Sequence, residues 1–252
     1  MAKHHFDFLD WNNKVLLNSI KKIDLNIILT VILDALFYFL SGYLVIFWFQ
    51  RIQEKVAAFN LPADMVSLGY EKINQLAADG RTFYYIIIFS FILLLIVIIF
   101  LAGILKGIIW AKTTKTKISL ALISKFLGLN LVWMGFWFLL IFLISLLVQP
   151  QSVPIFMTIT LILGIYFTNT LYTVFMKEQK LKTIFTALRL NITKIHMFLL
   201  PYALILLLIF IIIKLSNLLT FKYSAVAAGF IVLVYAAFVR YYVSELVLEV
   251  QK

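Results

Sequence analysis

The sequence predicts an all-α fold, a polytopic membrane helical bundle with six transmembrane helices in one domain, residues 1–252. Hydrophobic residues make up 64% of the chain and charged residues only 13%, whereas a soluble domain is about half apolar and about a quarter charged. Six stretches are long and apolar enough to cross a bilayer, and the basic residues fall mostly on one side of them. Together these observations exclude an ordinary soluble domain.

The spans are predicted from their length. A helix needs about 20 mostly apolar residues to cross the hydrocarbon core with its backbone hydrogen bonds satisfied internally. The first run is too long for a signal peptide, so we expect it to remain as span one. Pro201 lacks a backbone donor and is expected to kink span five. The predicted spans are approximately 25–49, 83–110, 126–148, 154–176, 195–213 and 223–243.

The basic residues predict the orientation, because cytoplasmic flanks and loops carry the excess of Lys and Arg. Sixteen of the 22 basic residues fall in the terminal segments and in the loops after spans two and four, and six fall on the other side. We therefore expect both termini in the cytoplasm and the chain in the cell (plasma) membrane. The net charge of +11 is then explained by attraction to the anionic inner leaflet rather than to nucleic acid.

Basic amphipathic helices are predicted in the membrane interface before spans one, three and five. Their apolar residues are Phe6, Leu9, Leu16, Leu17 and Ile20 in the first, Ile118, Leu122, Phe126 and Leu129 in the second, and Ile184, Leu188, Ile192 and Ile195 in the third. Polar residues, including Asp7 and Lys14 in the first, oppose them. This recurrence indicates three copies of a helix followed by a hairpin, although lysines drawn to any inner loop would give the same spacing.

The largest segment predicted on the outer side is the loop 50–82. One short helix is indicated there, because proline is favoured in the first turn and apolar residues recur at helical spacing after it: Pro62 is followed by Met65, Val66, Tyr70, Ile73 and Leu76. We expect this helix to lie on the outer surface without a ligand, or to cap the bundle.

Ionisable groups inside a span are costly, so each is a candidate functional residue. Asp34 lies about ten residues into span one, and a carboxylate at that depth must be paired with Lys106 or Arg240 or else be neutral. The candidate polar layer comprises Asp34, Lys106, Asn130, Asn169, His196 and Arg240. It is interpreted either as an interhelical lock that fixes the helices or as an inward-facing vestibule for an ion, proton or small ligand.

Catalytic and cofactor motifs are not found in the sequence. It contains no GxSxG, no GxxxxGK, no HExxH and no cysteine, so we expect no enzyme activity, cofactor or metal site. His4 and His5 are interpreted as a polar tail. A lone aspartate in a span also lacks a second acid or a nucleophile for general acid and base chemistry.

Span three begins with Leu129-Asn130-Leu131-Val132-Trp133. This start, with the alternation of basic amphipathic helix and hairpin, resembles uncharacterised archaeal and bacterial six-span membrane families. It is generally similar to the membrane domain attached to some glycerophosphodiester phosphodiesterases. The resemblance implies the six-span architecture, but it carries no functional residue to this chain and does not imply phosphodiesterase activity.

Two classes of function follow from these features. The first is a non-enzymatic membrane scaffold or accessory subunit, whose amphipathic helices contact anionic lipid or a membrane-protein partner. The second is a transport component, or a component that binds a small ligand or ion, with its site around Asp34.

Overall fold

The computed structural model describes residues 8–58 and 70–252, which form eight helices and no strand. Their bounds are α1 Phe8–Lys22, α2 Asn26–Ala58, α3 Tyr70–Thr113, α4 Leu120–Leu147, α5 Val153–Glu178, α6 Thr183–Thr193, α7 Ile195–Ser216 and α8 Ser224–Val250. All except α1 and α6 are long and apolar enough to cross a membrane. The all-α prediction with six spans is confirmed, and the protein is a multi-pass integral membrane protein. With six crossings, α1 and the end of α8 lie on one side, here called the terminal side.

The helices α2 and α3 extend well beyond their predicted spans. They contain 33 and 44 residues, or about 50 Å and about 66 Å, whereas the hydrocarbon core is about 30 Å thick. The described parts of the predicted loop 50–82, residues 50–58 and 70–82, are therefore helical. Ile73 and Leu76 belong to α3 rather than to a separate short helix, because residues 70–79 contain good helix formers and no proline. Pro62 and Met65 lie outside the described residues.

The three predicted amphipathic segments have different outcomes. The first and third are separate helices, α1 and α6, although Phe6 and Asp7 lie outside the described residues. The segment before span three is instead the start of α4. Ser119 caps α4, since its hydroxyl accepts a hydrogen bond from the backbone N–H of Leu122 at 3.1 Å. No proline follows before Leu147, so the helix continues without a break.

The chain groups into two compact units, 36–101 and the remainder of the chain. In the first unit, the described parts of α2 and α3 are joined by Trp48, whose indole N–H donates to Ser90 Oγ at 3.0 Å. The Trp48 ring also lies 5.6 Å from that of Phe91, measured between centroids. Most of the described apolar side chains in this unit are exposed, as expected for helices whose surfaces contact lipid.

The second unit contains the core, which lies towards the terminal side. The most buried stretches are the last turns of α5 and α8, residues 170–176 and 240–247. One cluster joins the end of α3, the start of α4, α5 and α6, with Trp110, Phe126 and Phe175 among its members. A second cluster joins α1, α5, α7 and α8 around Val15 and Leu246. The other halves of α4, α5, α7 and α8 leave most apolar side chains exposed.

Each pair of membrane-spanning helices is preceded by a helix, or in one case by the first turns of α4. This preceding segment packs on the last helix of another pair. Thus α1 packs on α8 and α6 packs on α5. The start of α4 packs on the end of α3, where a Cβ on Gly103 would lie only 3.1 Å from Leu127 Cα and one on Gly107 only 3.1 Å from Phe126 Cδ1.

Candidate functional site

Asp34 is fully buried and lies between two cations from other helices. Its side chain, on α2, is 0% exposed, and those of Lys106 on α3 and Arg240 on α8 are 16% and 10% exposed. Lys106 Nζ donates to Asp34 Oδ1 at 2.5 Å, and an Arg240 guanidinium nitrogen donates to Oδ2. We call these three residues the Asp34 cluster. It joins three helices through one carboxylate, so the paired alternative of the sequence analysis is the one observed.

The charges of the Asp34 cluster are unequal. Two cations face one carboxylate, and Arg240 Nε is buried with no hydrogen-bond partner among the described residues. A buried ion pair strongly resists the loss of one partner, because the remaining charge would be left without compensation in a medium of low dielectric constant. The cluster can therefore fix α2, α3 and α8 relative to one another within the second unit.

Asn130, a second residue of the expected polar layer, forms a different contact. Its side-chain N–H donates to the Phe126 carbonyl at 2.9 Å, and the Tyr172 hydroxyl donates to its Oδ1 at 2.5 Å. Asn130 and Tyr172 are both buried. This pair joins α4 to α5 and satisfies both polar groups of the asparagine side chain.

The two remaining residues of the expected layer are not part of either contact. Asn169 is half-buried in α5, and its backbone carbonyl accepts from Thr173 Oγ1 at 2.9 Å. His196 is exposed in the first turn of α7. Of the six residues expected in one layer, the structure thus brings together only Asp34, Lys106 and Arg240. Similar depth along a span did not suffice for the others, because depth does not determine the direction in which a side chain points around its helix.

Further polar contacts between helices involve residues that sequence reasoning did not single out. The Tyr242 hydroxyl on α8 donates to Asn12 Oδ1 on α1 at 2.6 Å, and Lys22 on α1 forms an ion pair with Glu245 on α8. Glu245 is buried and lies just beyond the predicted end of span six. An acidic residue so close to a long apolar segment was the signal that could have identified this pair.

An equivalent contact joins α5 and α6 through Asn191. Its Oδ1 accepts from Thr170 Oγ1 at 2.8 Å, and its backbone carbonyl accepts from the Tyr166 hydroxyl at 2.9 Å. The buried face of α6 consists of Thr183, Ala187 and Asn191, and that of α1 of Asn12, Val15 and Ser19. Small and polar residues at helical spacing were the signal for both contacts.

Each of α1 and α6 also has two exposed faces. In α1, Leu17 and Ile20 are 57% and 46% exposed, and in α6, Phe185 and Ile192 are 76% and 65% exposed. The third face is polar and exposed in each helix, with Lys14 and Lys21 in α1 and Thr186, Arg189 and Thr193 in α6. Viewed along either helix, the buried, apolar and polar faces follow in the same rotational order.

The expected apolar faces of α1 and α6 are therefore divided between the core and the surface. Leu16, Ile184 and Leu188 pack against the core clusters, whereas Leu9, Leu17, Ile192 and Ile195 are exposed. Within the described ranges, no group of three or more His, Cys, Asp or Glu side chains is arranged to hold a metal ion.

Comparison with known proteins gives no relative of this chain. No protein family described by a sequence model matches it, and neither curated proteins nor solved structures show a detectable similarity.

Proposed function

We propose that this protein is a non-enzymatic scaffold or accessory subunit of the cell membrane, with both termini in the cytoplasm. In this proposal α1 and α6 lie in the interface of the anionic inner leaflet, where they contact lipid headgroups and can present a surface to a membrane-protein partner. The observation that carries the proposal is the shared arrangement of three faces on α1 and α6.

The exposed apolar faces favour a location at lipid rather than in water. Burying apolar surface contributes about 25 cal/mol per Å², so side chains such as Leu17 and Phe185 gain free energy when they insert below the headgroups. The neighbouring polar face then lies towards the headgroups and the water above them, with Lys14 on α1 and Arg189 on α6. Each basic residue near an anionic leaflet adds about 1 kcal/mol of attraction.

The Asp34 cluster supports a scaffold because its carboxylate is already fully engaged. Both oxygens of Asp34 accept hydrogen bonds from fixed cations. A site that takes up and releases an ion through this carboxylate would have to break these contacts in every cycle. The cluster is better suited to fixing the helices that carry the interfacial surface.

The chain contains no cysteine, so a single introduced cysteine can carry a fluorescent label at one known place. We would label Leu17→Cys and Phe185→Cys with an environment-sensitive fluorophore in liposomes containing phosphatidylglycerol. The matched controls are Lys14→Cys and Lys182→Cys, on the polar sides. We expect blue-shifted emission and quenching by spin-labelled lipid at the apolar positions only.

Two results would contradict this proposal. Equal, water-like emission at all four positions would show that α1 and α6 do not lie in the interface. Labelling of Lys14→Cys by an impermeant maleimide from outside intact cells would show that the terminal side is not cytoplasmic.

A second candidate function, transport or small-ligand binding at the Asp34 cluster, is favoured by one observation. Arg240 Nε is buried without a hydrogen-bond partner among the described residues, and the cluster holds one more cation than anions. Thermal unfolding of wild type and Asp34→Asn against ions and small metabolites tests it. An anion that stabilises the wild type, and stabilises Asp34→Asn more because that variant leaves two cations uncompensated, would establish a binding site and favour transport over the scaffold.

A further inference from the structure

A groove of about 430 Å³ lies on the terminal side between the ends of α5 and α8 and the polar face of α6. Its lining combines two apolar side chains with four charged ones. The lining includes Lys177, Glu178, Arg189, Leu190, Lys194 and Val250. None of them belongs to the Asp34 cluster.

The charges of the groove are unbalanced in favour of an anion. Lys177, Arg189 and Lys194 supply three cations and Glu178 one carboxylate. None of these cations forms an ion pair with a described residue. The Glu178 carboxylate itself accepts from Thr183 Oγ1 at 3.3 Å. Like charges gathered in one groove repel one another, and a bound anion would relieve that repulsion.

The three cations come from different segments that the fold holds together. Lys177 lies in the last turn of α5, Arg189 in α6, and Lys194 between α6 and α7. The Asn191 contacts join α5 to α6. Leu190 and Val250 are the apolar lining residues.

We infer that this groove binds the phosphate group of an anionic phospholipid from the leaflet on which α6 lies. The planar guanidinium of Arg189 matches two phosphate oxygens, and the two ammonium groups act as point charges. The exposed Phe185 and Ile192 on the neighbouring face of α6 would lie beside the acyl chains. This inference rests on the proposed function, because it needs α6 at the interface, and it specifies the lipid chemistry recognised there.

The test uses the full chain in nanodiscs of phosphatidylcholine, titrated with phosphatidylglycerol or, separately, with inorganic phosphate in solution. The apparent affinity is obtained from the increase in Tm. We expect Arg189→Gln to weaken the apparent affinity for phosphatidylglycerol about fivefold. Lys177→Gln, on the opposite wall of the groove, should weaken it to the same extent. The matched control is Lys182→Gln, which removes an exposed charge next to α6 but outside the groove.

The titration distinguishes this site from general attraction to the leaflet and from binding of a soluble phosphate. Equal weakening in Lys182→Gln and Arg189→Gln would show general attraction to the leaflet and overturn the site. Absence of stabilisation by phosphatidylglycerol would also overturn it, and full stabilisation by inorganic phosphate alone would reassign the ligand to a soluble phosphate. Failure of the proposed function is seen separately, as water-like emission from labelled Phe185→Cys.

Discussion

Asp34 and Arg240 lie 206 positions apart in the chain and form a buried ion pair. With Lys106 on the other carboxylate oxygen, this pair joins three helices at one point. Three charged residues that would each be unfavourable alone in an apolar bundle become acceptable together.

Removal of the central carboxylate should destabilise the protein strongly. We expect Asp34→Asn to lower the free energy of unfolding by about 3 kcal/mol or more, because Arg240 and Lys106 lose their shared anion. Lys106→Met should cost less, since Asp34 keeps Arg240. Denaturant unfolding in mild detergent measures both. The control is Glu54→Gln on α2, whose ion pair with Arg51 is exposed and should contribute under about 1 kcal/mol. Equal losses in the free energy of unfolding for Asp34→Asn and Glu54→Gln would show that the Asp34 cluster does not hold the three helices together.

Loss of the Tyr172 hydroxyl should also destabilise the chain. Tyr172→Phe leaves the buried Oδ1 of Asn130 without its donor, which should cost about 1 to 3 kcal/mol. The same change at the exposed Tyr84 is the control and should have little effect. Thermal unfolding of the two variants provides the comparison, and similar Tm values would show that the contact between Tyr172 and Asn130 contributes nothing.

The close approach of α3 and α4 predicts a steric effect at Gly103. A Cβ there would lie 2.5 Å from Leu127 Cδ1 and 3.1 Å from Leu127 Cα. Gly103→Ala must therefore move the Leu127 side chain and crowds the Leu127 backbone, which should cost about 1 to 3 kcal/mol. Gly42→Ala places its Cβ in open space and should stabilise α2 by up to about 1 kcal/mol. We expect chemical unfolding to show a lower free energy of unfolding for Gly103→Ala and a higher one for Gly42→Ala. A stabilising Gly103→Ala would contradict the close contact between α3 and α4.

Asp24 predicts a contribution to stability that depends on pH. Burial alone would raise the pKa of its carboxyl, but hydrogen bonds from the Asn26 side chain and backbone and the nearby Lys115 ammonium outweigh burial, so the pKa lies below its usual 3.8. A carboxyl group whose pKa is lower in the folded protein than in the unfolded chain stabilises the folded protein above pH 3.8. This contribution is lost as the pH falls through the pKa of the folded state. The stability difference between wild type and Asp24→Asn should therefore shrink on acidification below pH 3.8. A difference that is constant with pH would exclude this assignment.

The sequence by itself determined the fold class and the six spans, because span length and apolar composition are local properties that the bilayer constrains directly. It also named Lys106 or Arg240 as a partner for Asp34, with a neutral carboxyl group as the alternative, since a lone charge at that depth is costly. The orientation predicted from its basic residues and the scaffold function remain proposals with the tests given above.

The tertiary structure decided which of the candidate polar residues meet. Asn130 is paired with Tyr172 and His196 is exposed, although both lie at depths similar to that expected for Arg240. It also decided that α1 and α6 turn faces of small and polar residues, including Asn12 and Asn191, towards the core. The physical reason is rotational: hydropathy fixes how far along a helix a residue lies, whereas packing between helices fixes the direction in which its side chain points.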